Sequence, residues 1–124
     1  DVERSRGLGD VYKRQLVAAL RDPRLARAIL ALHRQPGRDW TVAELAEECH
    51  ISRSVFADRF QATIGTPPLR YATELKMRLA SQWLTQDRLS IEVVAQQLGY
   101  TSQAFSRAFK RITGLPPGAS RQLR

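Results

Sequence analysis

The 124-residue chain has a single cysteine, Cys49, so it cannot close an internal disulfide. It has no run near the ~18 consecutive apolar residues of a membrane span, and no secretory signal is visible. It also lacks a glycine-rich phosphate loop, a Cys/His cluster at metal-ligand spacing, and a nucleophile with an implied base and orienter. These absences argue against an enzyme and against a metal or other cofactor. They point to a soluble, cytoplasmic protein of a reducing compartment. One further absence is local. Residues 101–124 contain no acidic residue, yet they carry Arg107, Lys110, Arg111, Arg121 and Arg124. Residues 40–50 are the reverse, with Glu44, Glu47 and Glu48 and no basic residue. The formal net charge of +8 is therefore unevenly spread. A positive field concentrated on one segment suits a polyanion such as nucleic acid.

What the chain does have is a segment written twice. Thr41, Val42, Leu45, Ala46, Cys49, His50, Ser52, Phe56, Phe60, Gly65, Pro67 and Pro68 recur 49 residues later. Their counterparts are Ser90, Ile91, Val94, Ala95, Leu98, Gly99, Thr101, Phe105, Phe109, Gly114, Pro116 and Pro117, aligned without a gap. A period of this length marks a duplicated supersecondary unit. Each copy reads as two short helices around a tight turn, a device that reads duplex DNA. At ~45 residues each copy is near the lower limit for independent stability, so the two are expected to lean on a shared element.

The helical pattern covers nearly everything after residue 15. Residues 1–15 have no usable apolar period. Asp10 to Gln15 also looks like the translated end of a transposon used in sequencing-library preparation. Residues 1–15 are therefore read as non-native sequence, or else a linker, and set apart from the fold. Asp22-Pro23 opens a helix with Leu25, Ile29 and Leu32 on one face, ending near Gln35-Pro36-Gly37. Thr41-Val42-Ala43-Glu44 is a capping box, followed by a buried stripe of Val42, Leu45, Ala46 and Cys49. His50-Ile51 turns the chain, Ser52 caps the next helix, and Phe56 and Phe60 bury against the first. After Gly65 and Pro67-Pro68, a longer helix over residues 69–84 presents Ala72, Leu75, Leu79 and Trp83. Its length of roughly 24–27 Å is of the order needed to hold two modules in neighbouring major grooves, ~34 Å apart. Ser90 opens the second copy. Gly99 turns it, Thr101 or Ser102 caps its second helix, and Phe105 and Phe109 repeat the anchors. The fold class is all-α: two helix-turn-helix subdomains, homeodomain-like bundles, joined by a long linker helix. The boundaries are 16–38 for an N-terminal helical segment, 39–66 for the first unit, 67–86 for the linker helix, and 87–124 for the second unit and tail.

The run from Ala95 through Gly99-Tyr100-Thr101-Ser102-Gln103-Ala104-Phe105-Ser106-Arg107-Ala108-Phe109-Lys110-Arg111, with Gly114 and Pro117, resembles the signature of the AraC/XylS family of bacterial transcription regulators. Trp40-Thr41-Val42 through Ser52-Arg53-Ser54 to Phe60 and Gly65 is similar to that family's first helix-turn-helix. The resemblance covers residues 40–121. It implies sequence-specific binding of double-stranded promoter DNA by a transcription regulator, an activator by family habit, with two recognition helices in successive major grooves. It also implies an N-terminal sensor domain, outside this chain, through which the protein would dimerise. Two departures stand out. The family has one more residue between Gly99 and Phe105, so the shortened segment would shift the start of the second recognition helix. Ser120 stands where the family has an aromatic, which leaves the tail less anchored.

A recognition helix sends its outward side chains to base edges and keeps its aromatics inside. In the second copy this selects Gln103, Ser106, Arg107 and Lys110 as base readers, with Arg107 and then Gln103 foremost. The first copy offers Arg53, Ser54, Ala57 and Asp58, a smaller and partly acidic set, so the second copy is expected to dominate affinity. Ser52, Thr101, Ser102 and Arg111 are backbone-contact candidates, because helix N-termini attract phosphate. Each has a plainer alternative, since charges on an amphipathic helix are commonly just a solvated face. The phenylalanines are core, Cys49 is a packed small hydrophobe, and His33 and His50 are isolated. Glu44, Glu47 and Glu48 are solvent-facing, or a docking patch for RNA polymerase. Two other function classes remain open: the DNA-binding module of a DNA-repair methyltransferase, which would need a reactive-cysteine domain, and a basic helical protein-interaction module.

Overall fold

The computed structural model describes residue 10 and residues 13–120, all helix, turn and loop with no strand among them. The tail cations Arg121 and Arg124, the side chain of Ser120 and most of residues 1–12 lie outside the described residues. The first helix, α1, is described over residues 13–20 and passes through position 15, whose Gln15 side chain is buried. Helix α2 (Pro23–Arg34) begins as the sequence dictates, with the Asp22 carboxylate accepting the Arg24 N–H and proline in the first turn. Helix α3 (Val42–Glu48) starts at a reciprocal capping box between Thr41 and Glu44. Helix α4 (Arg53–Ile64) runs from a Ser52 cap to a left-handed Gly65.

The second unit repeats this element for element. Helix α6 (Ile91–Gln97) is capped by Ser90, and α7 (Ser102–Thr113) runs from Thr101 to a left-handed Gly114. Every boundary is displaced by 49 residues from its counterpart. The cap of α7 is Thr101, whose Oγ1 accepts the Ala104 N–H at 3.1 Å, and Ser102 is the first helical residue. The shortened Gly99–Phe105 segment therefore gives α7 the same start as α4 in the repeat register. The short α8 (Pro117–Ser120) folds back on α5 and α7.

Between the units runs α5 (Pro68–Thr85), 18 residues and about 27 Å long. Its packing corrects the single stripe expected from the sequence. Tyr71 and Leu75 are buried in the first core, with Ala72 and Leu79 only partly covered beside them. Met77, Ala80 and Leu84 are buried in the second core, with Trp83 partly covered. At about 100° per residue these two sets lie on nearly opposite sides of the helix. One helix thus supplies a wall to each lobe, which is why neither lobe has to fold alone. Each core is centred on a phenylalanine pair one turn apart. Phe56 and Phe60 have ring centroids 5.6 Å apart, and Phe105 and Phe109 have theirs 5.5 Å apart. All four rings are buried, as are Leu45, Ala46, Cys49, Val94, Ala95 and Leu98, whereas Val42 and Ile91 are only partly so.

Candidate nucleic-acid interface

The turn between the two helices of each unit decides where the second helix points. In the first unit His50 makes it at φ 58, and in the second Gly99 makes it at φ 82. The Ile51 N–H and the Tyr100 N–H then donate to Ala46 and Ala95, which are small enough for the backbone to close over them. With the phenylalanines turned inward, the outward side of each second helix is fixed. Arg53, Ser54 and Asp58 are exposed on α4 and Ala57 is half-buried. On α7, Gln103, Arg107 and Lys110 are exposed and Ser106 is half-buried.

A shallow depression gathers the second set. It is lined by Ile91 and Glu92 from the start of α6 and by Ser102, Gln103, Ser106 and Arg107 from α7. Four sequence-selected residues therefore share one surface, and Lys110 lies one turn beyond Ser106. Arg107 and Lys110 form no ion pair among the described residues. Two side chains missed in the sequence belong in this description. Glu92 sits in the depression, and the fact that it opens α6 beside the reading helix was the available signal. Gln61 is exposed on α4 at the position matching Lys110, and the 49-residue offset alone would have found it.

The first face is electrostatically different. Asp58 occupies the position of Arg107, and the second cation of α4, the exposed Arg59, is engaged elsewhere: its Nε donates to the Asp22 carboxylate at 2.5 Å, tying α4 to the start of α2. Glu44 is not simply solvent-facing. It accepts from Arg38 at 2.6 Å and from the Thr41 N–H at 3.0 Å, and the Arg38 bond comes first in holding its carboxyl below the usual range. Glu47 and Glu48 are exposed. The helix caps are occupied by their own backbone bonds. Ser52 Oγ accepts from Val55 at 3.3 Å, and Thr101 Oγ1 accepts from Ala104, yet both residues remain exposed, as do Ser102 and Arg111. Cys49 is 2% exposed, and burial pushes its thiol up, away from the reactive thiolate. Burial likewise lowers His33. Among the described residues no group of His, Cys, Asp or Glu is placed to hold a metal ion, and no helix is long and apolar enough to cross a membrane.

Comparison with known proteins agrees with this geometry. A family profile described as a helix-turn-helix domain matches residues 45–123. A Streptomyces lividans protein named as an AraC-like transcription regulator is 45% identical over 107 residues, covering 86% of this chain and 35% of that protein. The HTH-type transcriptional regulator AlkR of Acinetobacter baylyi is 42% identical over 107 residues, again 86% of this chain and 35% of its own length. The chain thus spans about a third of these relatives. Among solved structures, the DNA-binding domain of the global transcriptional factor AdpA, determined in complex with a target DNA, superposes with a TM-score of 0.73 at 27% identity. That match covers 82% of this chain and 92% of the other. Duplicated turn, shared linker helix and sequence likeness converge: the chain belongs to the AraC-type helix-turn-helix family.

Proposed function

We propose that this chain is the DNA-binding part of a bacterial transcription regulator. In this reading α4 and α7 enter successive major grooves of one duplex and α7 carries most of the base reading. The observation that carries it is the 49-residue repetition of a whole helix-turn-helix, caps and turns included, with an exposed polar face on each second helix. Arg107 suits guanine, because its planar fork meets O6 and N7 together, and Gln103 suits adenine in the same bidentate way. Ser106 and Lys110 complete that face. On α4, Arg53 and Ser54 read, Ala57 and Asp58 shape the approach, and the net attraction is weaker because Asp58 faces phosphate-rich surroundings. Ser52, Thr101, Ser102 and Arg111 position the backbone. The likeness to a domain solved on its target DNA supports this reading. Membership of a helix-turn-helix family favours a binding module over an enzyme.

Activation, contact with RNA polymerase and dimerisation through a sensor domain are the finer parts of the proposal. Glu47 and Glu48 are the exposed acids on which a polymerase contact would rest. Their charge reversal should leave duplex affinity unchanged while lowering transcription in vitro. The central experiment is selection of binding sites from a random duplex library at near-physiological salt. The expected result is a two-part motif with halves about one helical turn apart, more strongly defined on one side. Recovery of no motif, with salt-insensitive binding or none, would sink the reading.

A further inference from the structure

Gly37 lies in the loop between α2 and α3, in the first lobe, but what it touches belongs to the second. A Cβ at this position would lie 2.2 Å from the carbonyl oxygen of Gln97, where ordinary van der Waals contact is 3.4–4 Å. Across the same contact, a Cβ on Gly99 would lie 2.7 Å from the Gly37 carbonyl oxygen. The obstacles are backbone atoms on both sides, so no side-chain rotation could relieve them. Gly99 needs glycine for its positive φ as well, whereas Gly37 is not among the positive-φ residues. Backbone conformation does not require glycine at position 37. Proximity to the second lobe does.

The contact falls at a sensitive place. Residues 97–100 form the turn that aims α7, and α3, which follows the Gly37 loop, is the first helix of the other reading unit. Lys76, midway along α5, completes the seam: its Nζ lies 5.1 Å from the centroid of the Tyr100 ring. Lys76 is half-buried there, with burial lowering its pKa and the Asp39 carboxylate acting in the opposite sense. Both lobes are therefore joined twice, through α5 and through this seam.

We propose that the Gly37–Gly99 seam is a brace that fixes the distance and twist between α4 and α7, making Gly37 the residue that sets half-site spacing. This rests on the reading of α4 and α7 as DNA-reading helices. A lobe pair held by α5 alone can bend or twist, and would accept several spacings. One added base pair moves the second half-site by about 3.4 Å and about a tenth of a turn. A braced pair cannot follow that displacement.

The test compares the parent with Gly37→Ala on duplexes whose selected halves are moved apart or together by one and two base pairs. The parent should lose ~10-fold in affinity per base pair of displacement, the size of a mismatch penalty. Gly37→Ala should flatten that profile to within ~3-fold or move its optimum. Lys76→Met keeps the packed stem, removes the cation from Tyr100, and should flatten the profile partially. It serves in place of Gly37→Ala should that variant fail to fold. A Gly37→Ala protein that melts cooperatively and keeps the parent's optimum and penalty overturns the brace. A DNA-free measurement separates this from the functional reading. Spin labels at Gln61→Cys and Lys110→Cys, in a Cys49→Ala background, should give a narrow distance distribution in the parent and a broad or shifted one with Gly37→Ala. Equal distributions overturn the brace even if DNA is bound. A narrow distribution, with the unlabelled parent chain binding no duplex, keeps the brace and overturns the functional reading alone.

Discussion

Position 58 in the first unit and position 107 in the second are the same place in two copies of one device, and they carry opposite charges. In the proposed DNA-bound arrangement Asp58 would repel phosphate where Arg107 would attract it, so the two helices would differ most at the position proposed to discriminate bases. Replacing Arg107 with alanine should cost about 1–3 kcal/mol of binding and relax preference at one base pair. Quantitative binding to single-base variants of the selected site checks this, and equal weakening on every sequence would make Arg107 a phosphate contact instead. The turn residues form a second such pair. His50 holds φ 58 where Gly99 holds φ 82. A non-glycine residue pays about 1–2 kcal/mol in this region, and glycine's extra freedom in the unfolded chain returns about 0.5–1 of that. His50→Gly should therefore stabilise the fold by about 0.5–1 kcal/mol, read as a raised urea midpoint at constant slope. A lowered midpoint would mean that the 3.3 Å contact between His50 and Arg27 outweighs the backbone strain.

Among the elements, the helices α2, α3, α4, α6 and α7 were legible in the sequence because their ends are local chemistry. Asp22, Thr41, Ser52, Ser90 and Thr101 cap, and Gly65 and Gly114 stop. The phenylalanine anchors were legible for the same reason, since an i, i+4 pair facing a small alanine leaves one arrangement. The linker helix was legible in its extent, expected over residues 69–84 and found over Pro68–Thr85, but not in its packing. A single stripe through Ala72, Leu75, Leu79 and Trp83 missed Tyr71, Met77, Ala80 and Leu84, because a helix shared by two cores has no single period to find. The close approach of Gly37 to Gly99 was invisible too, since residues 62 apart in sequence leave no local mark. At the candidate site, Gln103, Ser106 and Arg107 could be chosen by their distance from the aromatics, whereas Glu92 is marked in the sequence only by its place in the first turn of α6. The double role of α5 has a measurable consequence. Leu75→Ala and Leu84→Ala should each cost about 2–5 kcal/mol. Hydrogen exchange should speed in α3 and α4 for the first and in α6 and α7 for the second. Equal acceleration in both lobes would mean that the cores melt as one unit.

For the whole molecule the governing quantity is charge. A formal charge of +8, with a cation-only stretch over residues 101–124, should draw a duplex in through release of condensed counterions. With five to eight phosphate contacts the log–log dependence of affinity on salt should have a slope of roughly −4 to −7. Titration between low and near-physiological salt measures it. A slope near zero would favour a protein partner over DNA. Charge alone would not distinguish a specific reader from a basic adhesive. In the proposed reading the distinction would come from presenting two unlike faces, on α4 and α7, on one frame.

The register of the repeat has one more consequence. Because the helix caps, the turns and the phenylalanine pair of one unit have their equivalents 49 residues on, the chain carries its own swap experiment. The outward residues of α7 can be written onto α4 without touching a core position. Such a molecule would ask the same question of both half-sites and favour tandem copies of one short word. The protein as it stands would ask two different questions. What the duplication preserved is the frame; the vocabulary of each copy was left free to diverge.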